Sequence, residues 1–353
     1  QIKGRNDLTL ENWQPSANIH LFVRQDIVAK IWPYGVVPSI GSSVQIDPYE
    51  EKMISVVPDA FFGGVGSENG QFNAPRGVAI APDGSIYVAD SRNHRIQHFS
   101  AEGDWISSWG SFASVDSGSA PGGTFNEPWG IAVDADGFVY VADTWNYRIQ
   151  KFTGDGKFVT MWGTSGTADT NYSFWGPRGI VVDSKGHVLI TDTGNNRVVI
   201  FDSDGEYISQ FGLKGIEFGQ FYEPVGLAVD NSDWLYVVDT WNQRIQVFAP
   251  DDTGTLYQFV KQWEVAGWDG QSTENKPFIS IDPDGKIYVT DPDNFRVLVF
   301  DQNGTFNNGW GDYSGGIDGF SKPVGIAASA SGVVWVSDSE NNYLLKFVLP
   351  ASS

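Results

Sequence analysis

The sequence predicts an all-β fold, a six-bladed β-propeller of four-stranded antiparallel blades. Three observations predict it: the chain carries six copies of one unit, each copy but the last contains four short β-rich runs, and Gly, Asp and Asn separate those runs. The copies align on an Asp that recurs at intervals of 53, 49, 47, 52 and 47 residues, at Asp90, Asp143, Asp192, Asp239, Asp291 and Asp338.

Each unit repeats the same frame around that Asp. An Asn follows three residues later and a Phe nine residues later in all six copies. A Pro precedes the Asp by 15 residues in five copies and by 14 in the copy that contains Pro277. The fifth residue after the Asp is Tyr343 in the last copy and an arginine in the others, namely Arg95, Arg148, Arg197, Arg244 and Arg296.

The first copy shows how the four strands are expected to follow one another. Its runs read "RGVAIA", "SIYVAD", "RIQHF" and "WISSWG", and the turns "PDG", "SRNH" and "SAEGD" join them. The Asp and the Arg flank the second turn, where Asn tolerates the left-handed backbone of a tight turn. We interpret the Asp–Asn–Arg triplet as structural, because a catalytic role would require the same chemistry in every blade.

The two ends of the chain predict how the ring closes. The sixth copy stops after its third run, whereas the segment before the first copy, "FGGVGSENGQFNAP", matches the later junction "FGLKGIEFGQFYEP". We therefore predict that residues from about 52 to 63 form an outer strand that completes blade six and removes an unpaired edge. The propeller would span residues 52–353. Residues 1–51 would form a non-repeating N-terminal arm, in which Ile27 and Ile31 suit one face of a short helix.

Composition restricts the partners. The chain has 353 residues, of which 41% are hydrophobic and 18% charged, as in a folded protein. Its net charge of −21 disfavours nucleic acid and anionic membrane surfaces as partners. There is no cysteine and no apolar run of 18 residues, so we expect no disulfide and no direct membrane insertion. Because the sequence begins at Gln1, we expect a processed chain or part of a longer protein.

Two resemblances add to these expectations. The stretch "FNAPRGVAIAPDGSIYVADSRNHRIQHF" resembles an NHL repeat, and the resemblance extends over roughly residues 52–349, which implies a six-bladed NHL propeller. Residues 1–35, through "IHLFVRQDIVAKIWPYG", weakly resemble the extracytoplasmic tail of bacterial membrane glycosyltransferase-like proteins. The second resemblance implies an extracytoplasmic location (periplasmic, cell-surface or secreted) and a tether through a membrane region upstream of Gln1.

The residues that vary within the constant frame are the candidates for ligand binding. They follow the Pro or lie at the tip of the second turn, and both places belong to one face of the predicted ring. Aromatic rings beside arginine suit sugar rings, peptides or carboxylated glycans. We therefore predict a non-catalytic binding or scaffold module for glycan or protein, with a site formed by Arg76, Trp129, Trp145, Tyr147, Arg178 and Trp241. The alternative is that these rings pack against the long junction loops.

An enzymatic alternative also follows from the NHL resemblance, which extends to an amidating lyase and to lactonases. It would be a metal-assisted hydrolase or lyase with its site in the central channel. The four histidines, His20, His94, His98 and His187, are not expected to converge on a metal ion. The inner runs, such as "GVAIA" and "GIVVD", are mostly apolar. We therefore assign no catalytic residue, metal site or cofactor, and enzymatic activity stays open.

Overall fold

The computed structural model describes residues 47–168, 170–268, 276–329 and 332–349. The chain divides into two units, residues 1–50 and 51–353. Almost all of the first unit, with the predicted arm and its short helix, lies outside the described residues. Within the described part of the chain, no helix has the length and apolar character needed to span a membrane.

The second unit is an all-β, six-bladed propeller of antiparallel four-stranded sheets, as predicted. Two short strands, β1 (Met53–Ile54) and β2 (Ala60–Gly63), precede the blades. Blade one contains β3–β6, which are Pro75–Ile80, Ile86–Asp90, Arg95–Phe99 and Trp105–Trp109. Blade two contains β7–β10, which are Pro128–Val133, Val139–Asp143, Arg148–Phe152 and Phe158–Trp162. A parallel pair in the next junction consists of β11 and β12, Thr164–Ser165 and Ser173–Phe174.

The remaining blades follow in the same order. Blade three contains β13–β16, which are Pro177–Val182, Val188–Asp192, Arg197–Phe201 and Tyr207–Phe211. Blade four contains β17–β20, which are Pro224–Val229, Leu235–Asp239, Arg244–Pro250 and Tyr257–Glu264. Blade five contains β21–β24, which are Ile279–Ile281, Ile287–Asp291, Arg296–Phe300 and Phe306–Trp310. Blade six contains β25–β27, which are Pro323–Ala328, Val333–Asp338 and Tyr343–Val348.

Short 3-10 helices are the only helical elements in the described residues. Five of them form the tips between the second and third strands, at Ser91–Asn93, Thr144–Asn146, Thr193–Asn195, Thr240–Asn242 and Pro292–Asn294. The other two are Glu50–Lys52 and Val115–Ser117. After each of the five tips, one residue takes the left-handed conformation that lets the chain turn back, with φ between 53° and 58°.

The N-terminal segment closes the ring, and it contributes to two blades. Strand β2 pairs antiparallel with β27, with Gly63 opposite Tyr343, and so completes blade six as predicted. Strand β1 instead adds to blade five, where Met53 lies opposite Gly309 in a parallel pair with β24. The expected single outer strand over residues 52–63 is therefore two short strands, separated by a segment that contains Pro58.

Close approach of the inner strands brings neighbouring blades together. A Cβ atom on Gly77 would lie 2.3 Å from the Trp129 carbonyl oxygen, and one on Gly130 would lie 2.1 Å from the Arg178 carbonyl oxygen. No side chain fits at either distance, so the glycine after Arg76 and the glycine after Trp129 allow the blades to pack. This packing sets Arg76, Trp129 and Arg178 side by side at one end of the channel.

The repeated Asp, Asn and Arg form a buried structural network, as interpreted from the sequence. In blade two, the Asp143 carboxylate accepts hydrogen bonds from Asn146 Nδ2 at 2.9 Å, Arg148 Nε at 2.8 Å and Gln150 Nε2 at 3.0 Å. Its other oxygen accepts one from the backbone N–H of Asn126 at 2.7 Å. Burial raises the pKa of the Asp143 carboxyl, and the charge of Arg148 opposes that rise. Three of these hydrogen bonds share one carboxylate oxygen and the fourth goes to the other, so all four support the fold.

The arginine of the network also fixes the loop that leads into its blade. Arg148 donates to the carbonyl oxygens of Pro121 at 3.2 Å and Thr124 at 2.8 Å, and Arg244 reaches the carbonyls of Glu217 and Gln220 at 3.0 and 2.9 Å. In all five blades that have this arginine, its Nε lies 2.7–2.8 Å from the aspartate. The junction loops are thus held by charge-assisted hydrogen bonds.

Candidate functional site

Strand register places the candidate residues at one end of the propeller. Pro75 lies opposite Asp90, and Asp90 lies opposite Arg95, so the first strand begins where the second ends and the third starts. Trp109, at the end of the fourth strand, lies opposite Ile96 near the same end. We call this end the hairpin face; it carries the tips between second and third strands and the junction loops between blades.

Three of the predicted site residues form a buried stack at the centre of the hairpin face. The guanidinium carbons of Arg76 and Arg178 lie 4.0 and 4.4 Å from the centroid of a ring of Trp129. Arg76 Nη1 also contacts Glu127 Oε2 at 3.2 Å. Burial lowers the pKa of Arg178 to about 10, and the charge of Arg76 adds to this effect. Attraction between guanidinium groups and the indole therefore holds two like charges close together.

A second cation lies against the other predicted tryptophan. Lys276 Nζ is 4.0 Å from the Trp241 ring, and the Lys276 side chain is 0% exposed. Glu223 Oε2 accepts a hydrogen bond from Trp241 Nε1 at 2.7 Å and lies 3.5 Å from Lys276 Nζ. Burial lowers the pKa of Lys276 to about 8, although the charge of Glu223 opposes that shift. Two cation–tryptophan clusters thus occupy this face, one around Trp129 and one around Trp241, each with a glutamate beside it.

The six predicted residues differ in exposure. Arg76, Trp129 and Arg178 are buried, whereas Trp145, Tyr147 and Trp241 are half-buried. Trp129 is only 1% exposed, because guanidinium groups from the blades on either side enclose its ring. Trp145 lies at the edge of this cluster, 6.0 Å from Arg178.

Tyr147 lies apart from the central cluster. Its ring centroid is 5.9 Å from that of Trp175, in the junction loop that follows blade two. The alternative in which the rings pack against junction loops therefore describes Tyr147. Trp241 contacts both a cation and a junction loop. Lys276 Nζ lies against its ring, and its ring centroid is 6.2 Å from that of Tyr222 in a junction loop.

Sequence reasoning missed several strongly exposed rings in the junction loops of the hairpin face. Phe112, Trp175 and Tyr313 lie in junction loops and are 59%, 51% and 61% exposed. Each of them contacts the left-handed residue at a tip, with ring centroids 4.7 Å apart for Phe112 and His94, 5.9 Å for Trp175 and Tyr147, and 5.0 Å for Tyr313 and Phe295. The available signal was a recurrence in the junction loops. Phe112 and Tyr313 occupy equivalent positions, each three residues after a tryptophan.

The central channel has the apolar lining that the inner runs predict. A cavity of about 210 Å³ lies along it, with Val78, Ile131, Ile180, Leu227 and Ile326 among the lining residues. Within the ranges described, no group of three or more His, Cys, Asp or Glu side chains could hold a metal ion.

Three of the histidines have separate structural contacts. His94 Nδ1 accepts a hydrogen bond from the Glu127 backbone N–H at 3.1 Å. His98 stacks on Tyr87 with ring centroids 4.1 Å apart, and His187 Nδ1 lies 2.9 Å from Asp183 Oδ2. His20 lies outside the described residues.

Comparison with known proteins agrees with this architecture. The NHL repeat profile matches residues 72–99, 125–152, 174–201, 221–248 and 320–347. The chain therefore contains five NHL repeats within its six-bladed β-propeller. The profile does not match blade five, yet Asn294 and Arg296 contact Asp291 there as their equivalents do in the other blades.

Curated relatives resemble limited segments of the chain. It is 39% identical over 88 residues to the B-box type zinc finger protein ncl-1 of Caenorhabditis elegans, which is 20% of this chain and 10% of that protein. It is 40% identical over 96 residues to mouse peptidyl-glycine alpha-amidating monooxygenase, 26% of this chain and 10% of that protein. The chain thus spans about a tenth of the length of these relatives.

Solved structures share the fold at low sequence identity. A gluconolactonase from Xanthomonas campestris superposes with a TM-score of 0.58 and 17% identity, covering 85% of this chain and 98% of that one. Virginiamycin B lyase from Staphylococcus aureus gives a TM-score of 0.53 and 17% identity, covering 84% and 96%. The resemblance of residues 1–35 to glycosyltransferase-like tails stays a prediction.

Proposed function

We propose that this propeller is a non-catalytic binding module that holds a protein or glycan partner on its hairpin face. The observation that carries the proposal is the arrangement of Phe112, Trp175 and Tyr313, three exposed rings on junction loops around one face. Large exposed rings that cluster on one face are typical of interaction sites. The buried Arg76–Trp129–Arg178 stack provides a rigid centre for this face.

Rigidity of the junction loops supports a binding role. Arg95 donates to the carbonyl oxygens of Ser67, Glu68 and Gln71 at 2.8 Å, and Arg148 and Arg244 hold their own loops in a similar way. A surface that is ordered before binding loses little conformational entropy when a partner docks. The constant frame therefore suits a face whose specificity depends on the variable residues.

The geometry favours a protein partner over a glycan. The exposed rings lie on loops between different pairs of blades, so they span a broad face and do not line one cleft. One structural neighbour, with a TM-score of 0.51 and 19% identity, comes from a nidogen–laminin complex and covers 69% of this chain and 82% of that one. We keep a glycan as the second candidate because arginine beside tryptophan also suits carboxylated sugars.

We further propose an extracytoplasmic location for the protein, as the soluble tail of a bacterial membrane glycosyltransferase-like protein. This proposal rests on the resemblance of residues 1–35 alone. The sequence upstream of Gln1 tests it directly: membrane-spanning helices there would support the tether, and a cleavable signal peptide alone would contradict it.

The binding proposal is tested with the whole chain on a glycan array and by crosslinking and mass spectrometry with source-cell proteins. The partner so identified is then titrated against Phe112→Ala/Trp175→Ala and against Trp145→Ala/Trp241→Ala. We expect each pair to weaken binding at least about tenfold, or about 1.4 kcal/mol.

A matched pair on the outer strands, Trp105→Ala/Phe158→Ala, controls for the loss of exposed aromatic area. Both residues are exposed, at 38% and 42%, and lie in β6 and β10. Equal weakening by this pair, or unchanged binding in both hairpin-face variants, would show that the partner docks elsewhere. A stoichiometric metal ion together with hydrolase or lyase turnover would favour the enzymatic alternative.

A further inference from the structure

A groove of about 460 Å³ lies at the outer side of blade six, away from the channel. Its lining includes Val57, Pro58, Asp59, Phe61, Ile317 and Asp318. Val57 and Phe61 are 66% and 47% exposed, so apolar surface faces solvent here. We call this feature the rim groove.

Strand β2 forms one wall of the rim groove and is an edge strand. It pairs with β27 on one side, and it is the outermost strand of its sheet in the described residues. An edge strand presents unpaired backbone groups that can bind another strand. Blade five has such an addition, since β1 of this chain pairs in parallel with its outermost strand β24. The edge of a blade can therefore accept an added strand in this protein.

The charge of the rim groove restricts what can occupy it. Two carboxylates line it, Asp59 and Asp318, and no basic side chain does. One Asp59 oxygen accepts a hydrogen bond from the Val348 backbone N–H at 2.6 Å, which fixes this carboxylate beside the groove. Asp318 is exposed, and the whole chain has a net charge of −21. An occupant with cationic side chains would complement this surface, whereas an acidic one would be repelled.

We propose that the rim groove binds an extended segment of a basic partner protein by adding a strand to β2. The backbone of the segment would pair with the edge of β2, and an apolar side chain would cover Val57, Phe61 and Ile317. A neighbouring Lys or Arg would contact Asp59 and Asp318. Main-chain pairing supplies affinity and alternate side chains supply specificity in this mode of recognition. The site is separate from the hairpin face, so neither proposal depends on the other.

Defined peptides test the rim groove on the intact chain. The probe is a fluorescent Thr-Val-Arg-Val-Arg-Val-Thr peptide, titrated by anisotropy at low ionic strength. One control peptide replaces both Arg residues with Glu, and another carries N-methyl groups that block pairing on the edge facing the protein. We expect the parent peptide to bind and both controls to bind at least about tenfold more weakly.

Variants then locate the bound peptide. Asp318→Asn and Val57→Ser are both at exposed positions outside the strands, and we expect each to weaken binding about threefold or more. Asp318→Asn should also reduce the dependence of affinity on salt. The matched pair for blade one is Asp104→Asn and Ile106→Ala, at exposed positions in and beside β6, and we expect it to leave the affinity unchanged.

Three results would overturn the proposal. Equal binding of the Arg and Glu peptides would exclude charge complementarity, and full binding of the N-methylated peptide would exclude strand addition. Equal loss in the blade-one variants would indicate unspecific attraction to an acidic protein. Sedimentation of the chain alone adds a further outcome: self-association that Val57→Ser abolishes would make a second copy the occupant and exclude the basic partner.

Discussion

The guanidinium carbon of Arg178 lies 4.4 Å from a ring centroid of Trp129, and that of Arg76 lies 4.0 Å from it. One indole from blade two thus separates two cations that belong to blades one and three. The contact links three successive blades at the centre of the hairpin face. Both guanidinium groups are buried, so the ring replaces part of the solvation that they lose.

Replacing Trp129 with Ala should destabilise the propeller strongly. The change removes a ring that is 1% exposed and leaves two buried cations without their aromatic partner. We expect the free energy of unfolding to fall by about 3–5 kcal/mol in a chemical denaturation experiment. Trp175→Ala, at a ring that is 51% exposed, should change it by less than about 0.5 kcal/mol. Similar losses in both variants would contradict this account of the stack.

Loss of the negative charge on the aspartate of the repeated triplet should lower stability as much as loss of Trp129 does. Asp143→Asn keeps the side-chain shape but weakens acceptors that receive hydrogen bonds from Asn146, Arg148 and Gln150. We expect a loss of about 3–5 kcal/mol in the free energy of unfolding, because a buried Arg148 charge loses its partner. Asp136→Asn, in an exposed turn, is the control and should be neutral. A neutral Asp143→Asn would show that the network contributes little to stability.

Periodicity is the reason why the sequence predicted the fold so fully. The Asp, Asn and Arg recur because every blade must fix the same tip and junction, so one network such as that of Asp143 accounts for the others. Ring closure by β2 followed from the missing fourth strand of the last copy. The added strand β1 was missed, because two residues that pair in parallel leave no pattern of alternation.

The site was harder to predict because burial depends on neighbouring blades. Trp129 follows the Pro of a first strand and Trp241 lies at a tip, and neither local sequence indicates that the first is fully buried and the second half-buried. Lys276 precedes a Pro as Glu127 and Glu223 do, and nothing in its own repeat indicates that Trp241 covers it. The repeat pattern predicts where the backbone of each blade lies. It does not predict which side chains of neighbouring blades contact one another.

The low pKa of Lys276 predicts a dependence of stability on pH. Burial lowers this pKa from 10.5 to about 8, against the opposing charge of Glu223, while Arg178 lowers it further. The unfolded chain therefore binds the proton more tightly than the folded chain does between these two values. The cost of burying the charged amine is complete below about pH 8 and is relieved as pH rises toward 10.5.

The measurement compares the wild type with Lys276→Met by chemical denaturation at several pH values. Wild-type stability should rise relative to the variant from about pH 8 upward. Lys157→Met, at a side chain that is 78% exposed, is the control, and its difference from the wild type should stay flat up to about pH 10. A flat difference for Lys276→Met would mean that Glu223 fully compensates the buried charge.

Closure of the ring by β2 should depend on Phe62 and not on its neighbour Phe61. The Phe62 ring lies 5.6 Å from Trp335 of blade six, and a Cβ atom on Gly103 of blade one would lie 2.1 Å from it, so this ring contacts both blades. We expect Phe62→Ala to lower the free energy of unfolding by about 2 kcal/mol, less than for a fully buried ring. Phe61→Ala, at a ring that is 47% exposed, should cost under about 0.5 kcal/mol. Hydrogen exchange of β27 amides should quicken in the first variant only, and equal protection in both would place the closing contact elsewhere.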